Sequence, residues 1–124
     1  MKIYVAGSFI DQSILRDEAN AIWKAGHVVT GTWLQEISRS PHISSDEHKR
    51  KIAIKDLVET READLIVLDN RRRRGGKNVE WGIAISQFQN KLLVLIGEPS
   101  NVFHYLADYT FTTWEEFIAW LQTR

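Results

Sequence analysis

Apolar residues along this chain follow two rhythms, short continuous runs and helical repeats, and the two alternate. The runs are residues 2–6 (KIYVA), closed by Gly7-Ser8; 27–33 (HVVTGTW); 65–68 (LIVL); and 92–96 (LLVLI), closed by Gly97-Glu98-Pro99. Each has the length of a strand. Residues 65–68 and 92–96 carry no polar interruption, which suits parallel strands covered on both faces. Residues 109–111 read as a short edge strand. Between the runs, Leu15, Ala19, Ile22 and Trp23 recur at helical spacing within 13–25, and Gly26 is a stop signal. A second helix begins at Asp46, with Ile54, Leu57 and Val58 as its expected inner face. Asn78 can cap a third, with Trp81, Ile85 and Phe88 on one side and Val79, Ile83 and Ala84 beside it. The last helix opens with a capping box, Thr112 with Glu115 or Thr113 with Glu116. Trp114, Phe117, Ile118 and Leu121 follow at i, i+3, i+4, i+7.

Strands that alternate with helices imply right-handed βαβ crossovers and a mostly parallel sheet. The expected architecture is one three-layer α/β domain over residues 1–124, with about five strands flanked by helices. Ligands of such sheets bind outside the carboxyl ends of the strands. Chemistry is therefore expected just after Ala6, Trp33, Asp69 and Ile96. The stretch 35–48, rich in Ser, His and charge, is long for a connection, and long loops in compact domains are often functional.

Composition narrows the partners. Hydrophobic residues make up 44% and charged residues 26%, as in globular proteins. Sixteen basic residues balance sixteen acidic ones, which argues against a partner that is a nucleic acid polymer. The absence of cysteine excludes disulfides, thiolate nucleophiles and Cys-ligated metals. His27, His42, His48 and His104 lack zinc-like spacing, so no metal is expected. No apolar run approaches the roughly 20 residues of a membrane span, and the amino-terminal run is too short for a signal peptide. The expectation is a soluble cytoplasmic protein. Five tryptophans in so short a chain are compatible with a partner subunit covering some of the surface.

At the strand ends, Gly7-Ser8 suits a tight turn or a loop that approaches a ligand. Neither GxGxxG nor a Walker motif is present. After Asp69 comes a flexible basic loop, Arg71 to Lys77, whose Arg71 to Arg74 are either a solvated charge run or a phosphate site. Gly75 and Gly76 allow close backbone approach. Glu80 lies in a first helical turn, where a carboxylate stabilises the helix and is also favoured in its ionised form. An ionised, positioned carboxylate is what attack on an anomeric carbon requires. Asp56 reads either as a solvated helix residue or as a second carboxyl for the same site. Trp33 reads as core or as a stacking surface for a base.

Four segments in order carry a likeness to a known family: KIYVAGS at 2–8; the Asp56 helix leading to ADLIVLD at 63–69; GGKNVEWGIAI at 75–85; and LLVLIG followed by EPSNVFHYL at 98–106. GG-x-x-V-E-x-G-x-A is the most specific. The sequence resembles, over nearly its whole length, the nucleoside 2-deoxyribosyltransferase family, with its relatives that hydrolyse the N-glycosidic bond of nucleoside 5′-monophosphates. The resemblance implies a flavodoxin-like fold and cleavage of the bond between C1′ and a base nitrogen. It implies that Glu80 is the nucleophile, that Asp56 handles protons or orients the glutamate and base, and that the Tyr4 hydroxyl holds the nucleophile. It implies that Gly7 and Ser8 approach the sugar or its 5′ substituent. Asn101 matches a residue that reaches into a neighbouring subunit's site, which implies at least a homodimer with shared sites.

The same resemblance makes Trp33, Asp69, Gly75 and Gly76 candidates for substrate binding. Where the transferases carry an aspartate before the nucleophile, this chain has Arg74, which points toward a phosphorylated substrate. No cofactor is implied. The expected partners are a nucleoside or nucleotide and a free nucleobase. Three functions follow in order: transfer of a 2-deoxyribosyl group between bases, hydrolysis of a nucleoside 5′-monophosphate, and nucleotide binding without catalysis.

Overall fold

The computed structural model describes residues 1–35, 45–72, 77–87 and 90–124. Five strands form one parallel sheet: β1 (Lys2–Ala6), β2 (Val28–Val29), β3 (Leu65–Asp69), β4 (Leu92–Ile96) and β5 (Tyr109–Phe111), in the order β2-β1-β3-β4-β5. Among the described residues, four helices flank it: α1 (Gln12–Lys24), α2 (Asp46–Glu62), α3 (Lys77–Ser86) and α4 (Trp114–Leu121). The step from β1 to β2 runs one way along the sheet, and the later steps run the other way. Right-handed crossovers therefore place α1 on one face and α2 with α3 on the opposite face. α4 packs beside α1, and α2 packs beside α3. This three-layer α/β arrangement is flavodoxin-like, as expected.

The core is the sheet itself. Every residue of β3 is buried, and Leu93 to Ile96 of β4 are fully so. No described helix is long and apolar enough to cross a membrane. Thr113 caps α4 by accepting from the Glu116 amide at 3.2 Å, and the Glu116 carboxylate accepts from the Thr112 amide at 2.9 Å. Of the two capping registers, the structure takes the second. Lys91, which the sequence pattern left unassigned, closes the end of α2 by donating to the carbonyls of Arg61 and Ala63.

Three expectations are corrected. The strand expected at 27–33 shrinks to Val28–Val29, and Thr32–Gln35 forms a 3-10 turn. Glu59 causes the bend, because its carboxylate accepts from both the amide and the hydroxyl of Thr32, each at 2.7 Å. Gly31 makes the bend possible, since a Cβ there would sit 3.3 Å from the Tyr4 ring and from Trp33. Trp33 is thus not a strand end. It folds back under β1 and donates its indole N–H to the Val5 carbonyl at 2.8 Å.

The second correction concerns α2. Its buried residues are Asp56, Glu59 and Thr60, whereas Ile54 and Val58 are exposed and Leu57 is half-buried. The helix turns its polar stripe to the sheet because the groups it meets there are polar. The third is α3, which begins at Lys77, so Asn78 lies inside it rather than capping it. Lys77 is helical and buried rather than part of a basic loop, and Val79 is exposed. Phe88 and most of the 35–48 stretch lie outside the described residues.

Asp69 ties the end of β3 to α4. Its carboxylate accepts from the Arg71 amide at 3.0 Å, from Arg71 Nε at 2.9 Å and from the Trp114 indole at 2.9 Å. Burial pushes the Asp69 pKa up, but the Arg71 and Trp114 hydrogen bonds outweigh it and hold the group below the usual carboxylate range. The folded state therefore binds this proton less readily than the unfolded chain does. The resulting stabilisation is complete above the ordinary carboxylate pKa of about 4 and fades as pH falls through the depressed folded value. Urea midpoints measured across acid pH should fall in this window, and Asp69→Asn should be less stable at neutral pH with a flatter dependence. Glu59→Ala leaves the amide and hydroxyl of Thr32 without their acceptor, and denaturation should show a loss of about 1–3 kcal/mol.

Candidate active site

The crevice lies where β1 and β3 are neighbours but their outgoing connections diverge, the switch point of an open α/β sheet. Ala6 pairs with Leu68, so Gly7 and Asp69 face each other at its floor. Gly7 packs closely on α1: a Cβ there would force the end of the Leu15 side chain to shift. Ser8 follows, half-buried, and its carbonyl accepts from the Asp11 amide at 2.9 Å to open a 3-10 turn at Phe9–Asp11.

Tyr4, midway along β1, is fully buried. Its hydroxyl donates to Glu80 Oε1 at 3.4 Å, across 76 positions of sequence. Burial drives the phenol pKa far up, and the neighbouring carboxylates of Glu80 and then Asp56 drive it further. The hydroxyl therefore stays protonated and acts as a donor. Glu80 is half-buried in the first turn of α3, at the amino end whose dipole favours negative charge. Asp56 is buried on the inner side of α2, and its backbone carbonyl accepts from the Thr60 hydroxyl at 2.7 Å. The fold thus brings Tyr4, Asp56 and Glu80 together from three separate elements. Chemically, this is a carboxylate held by a neutral donor, with a second carboxyl alongside.

The other sequence candidates divide. Asp69 is buried, and both its oxygens are taken by Arg71 and Trp114. Trp33 is buried with its N–H on Val5, and its ring lies 6.5 Å from that of the exposed Phe9. Asn101 caps the 3-10 turn Val102–Leu106, accepting from the amides of Phe103 and His104. Arg74, Gly75 and Gly76 lie outside the described residues.

Two neighbours are read from sequence only as members of the basic loop, Arg72 within the Arg71–Arg74 run and Lys77 at the loop's end. Lys77, buried at the start of α3, donates to the Asp69 carbonyl at 3.0 Å, and burial pushes its amine pKa down. Arg72 reaches across the crevice, its Nε 2.9 Å from the Asp11 carboxylate. Their shared position just beyond β3 was the available signal. His104 is also buried, contacting Asn78 and Ser100. Its only signal was a lone histidine in an otherwise apolar stretch. Asn78, Trp81, Gly82, Ile85, Asn101 and Phe103 line an open groove of about 290 Å³ on α3, and neither Tyr4 nor Glu80 borders it. Among the described residues, no group of three or more His, Asp or Glu side chains is placed to hold a metal ion.

No family sequence model matches the chain, and no curated protein matches it by sequence. Solved structures do. A 2-deoxyribosyltransferase from the psychrotolerant bacterium Bacillus psychrosaccharolyticus superposes with a TM-score of 0.73 at 21% identity, over 98% of this chain and 96% of that one. A conserved protein from Enterococcus faecalis V583 gives 0.72 at 16% identity, over 100% and 98%. The CMP N-glycosidase of Clostridium botulinum gives 0.63 at 14% identity, over 100% of both chains. At these identities the likeness is one of fold, and the chain shares that fold, end to end, with a deoxyribosyltransferase and a CMP N-glycosidase.

Proposed function

We propose that this protein is an N-glycosyl transferase that moves a 2-deoxyribosyl group from one nucleobase to another. The observation that carries the reading is the Tyr4 hydroxyl on the Glu80 carboxylate, with Asp56 close by, at the switch point of the sheet. In the proposed reaction a Glu80 oxygen attacks C1′ from the side opposite the base. The C1′–N bond breaks, its electron pair leaves with the base, and the base takes a proton from Asp56. A glycosyl ester on Glu80 results. A nitrogen of a second base then attacks C1′, the ester C–O bond breaks to restore the carboxylate, and the incoming base returns a proton to Asp56. The transition states resemble an oxocarbenium ion, which a nearby carboxylate stabilises. Tyr4 donates a long hydrogen bond to the carboxylate and stays protonated throughout. No cofactor takes part.

Hydrolysis of a nucleoside 5′-monophosphate is the second reading, favoured by the cations Arg72 and Lys77 at the strand ends. Water then replaces the second base, adding its oxygen to C1′ and giving its proton to Asp56. A shared-site homodimer belongs to the same proposal. The exposed apolar residues Ile54, Val58, Val79, Val102, Phe103 and Tyr105 sit on α2, on α3 and on the turn that Trp81 bonds to α3.

Incubation with a deoxynucleoside and a second free base, followed by chromatography, should show the exchanged nucleoside. No exchange for any purine or pyrimidine pair would sink the transferase reading. Turnover only of 5′-monophosphates, weakened in Arg74→Ala, would select the hydrolase. Glu80→Ala should abolish either activity. Tyr4→Phe removes a long hydrogen bond, of about 0.5–1.5 kcal/mol, so kcat should fall about 2- to 10-fold. Asp56→Asn should cost about 10²- to 10⁴-fold. Sedimentation velocity tests the dimer, and a monomer at micromolar concentration would count against shared sites.

A further inference from the structure

His104 is fully buried and sits where three parts of the fold meet. Its Nδ1 accepts the backbone N–H of Ser100 at 3.0 Å. A backbone N–H can only donate, so Nδ1 carries no proton and the ring's hydrogen is on Nε2. That hydrogen points to Asn78 Oδ1, 3.1 Å away. Asn101 Nδ2 also lies 3.2 Å from Nε2, but its own oxygen is committed to two backbone amides, so its amide cannot flip and Asn78 is the acceptor. Asn70, at the end of β3, braces the same loop by donating to the Glu98 carbonyl at 2.6 Å and to Ser100 Oγ at 3.1 Å.

The partners of this ring bracket Glu80 in sequence. Asn78 lies two residues before it on α3. Trp81, the residue after it, meets the imidazole edge-on at 5.9 Å and donates its indole N–H to the Phe103 carbonyl at 3.0 Å. The first turn of α3 is therefore fastened on both sides of Glu80 to the segment that follows β4. A long hydrogen bond of 3.4 Å from Tyr4 does not by itself fix a carboxylate that sits on a helix end. The rotation of that first turn decides where the carboxylate points.

We propose that His104 is a positioning residue for Glu80, its Nε2–H···Asn78 bond locking the first turn of α3 so that the carboxylate faces the reacting carbon. The proposal rests on the reading of Glu80 as the attacking group. The neutral ring that this geometry demands agrees with the burial of His104 and the nearby Lys77 ammonium, which both push its pKa below the ordinary histidine value.

The test pairs kinetics with a readout independent of turnover. Asn78 is exposed, so Asn78→Ala removes the acceptor with little risk to folding. It should lower kcat about 10- to 100-fold, the scale of a slight misplacement of a reacting group, and leave KM within about threefold. His104→Leu should do the same, and the double variant should be no worse than either single one, because both remove one bond. His104→Gln, whose amide nitrogen reaches the place of Nε2, should restore most of kcat. Hydrogen exchange at the amides of residues 81–84, which bond to the carbonyls of 77–80, should quicken in Asn78→Ala. Wild-type kcat in Asn78→Ala, or unchanged exchange there, overturns the positioning role. If wild-type protein turns over no nucleoside or nucleotide, the N-glycosyl reading falls, and the exchange arm alone decides whether His104 locks the turn.

Discussion

A phenol hydroxyl buried in the middle of a parallel sheet must have a hydrogen-bond partner, because no water reaches it and an unpaired hydroxyl is costly. Tyr4 is such a group, and Glu80 is its partner. Much else in the molecule accommodates that pair. α3 must begin close enough to β1 for its first turn to reach the phenol. α2 must present Asp56, Glu59 and Thr60 to the sheet rather than its apolar residues. Gly31 must lack a side chain so that the bend before Trp33 can lie against the Tyr4 ring. A polar centre has been built into one face of an otherwise apolar core, and the helices on that face are arranged around it.

The strand ends beside this centre are held by side chains rather than left as loose turns. Asp69 gathers Arg71 and Trp114, Arg72 bridges to Asp11, and Lys77 covers the last carbonyl of β3. These contacts tie α4, the loop after β1 and the start of α3 to one point. Groups on rigid elements with braced neighbours hold the precise geometry that chemistry needs. The braces also explain why several polar residues near the crevice are themselves committed. An acceptor surrounded by an arginine and an indole stiffens the site instead of receiving substrate.

The face formed by α2, α3 and the turn after β4 has the opposite character. Ile54, Val58, Val79 and Phe103 are turned outward. This is the cost of placing polar groups inward: a helix has two sides, and its apolar stripe must go where the polar one does not. α1 and α4, on the opposite face, keep the ordinary arrangement, with Leu15, Ile22, Phe117 and Leu121 buried.

What the sequence alone determined is local. The runs at β1, β3, β4 and β5, the helix at α1 and the choice of capping pairs for α4 follow from periodicity and turn chemistry, which act over a few residues. Alternation of these elements, with right-handed crossovers, was enough for the three-layer sheet. Tyr4, Asp56 and Glu80 were legible as candidates only through a motif, since nothing in their spacing says that they meet. Their meeting, the inward polar face of α2, the bend that cut β2 short and the clamp made by His104 were decided by tertiary structure. Each depends on a partner dozens of positions away, and a buried hydrogen bond of that reach overrides the local pattern because the alternative is an unpaired polar group in the core.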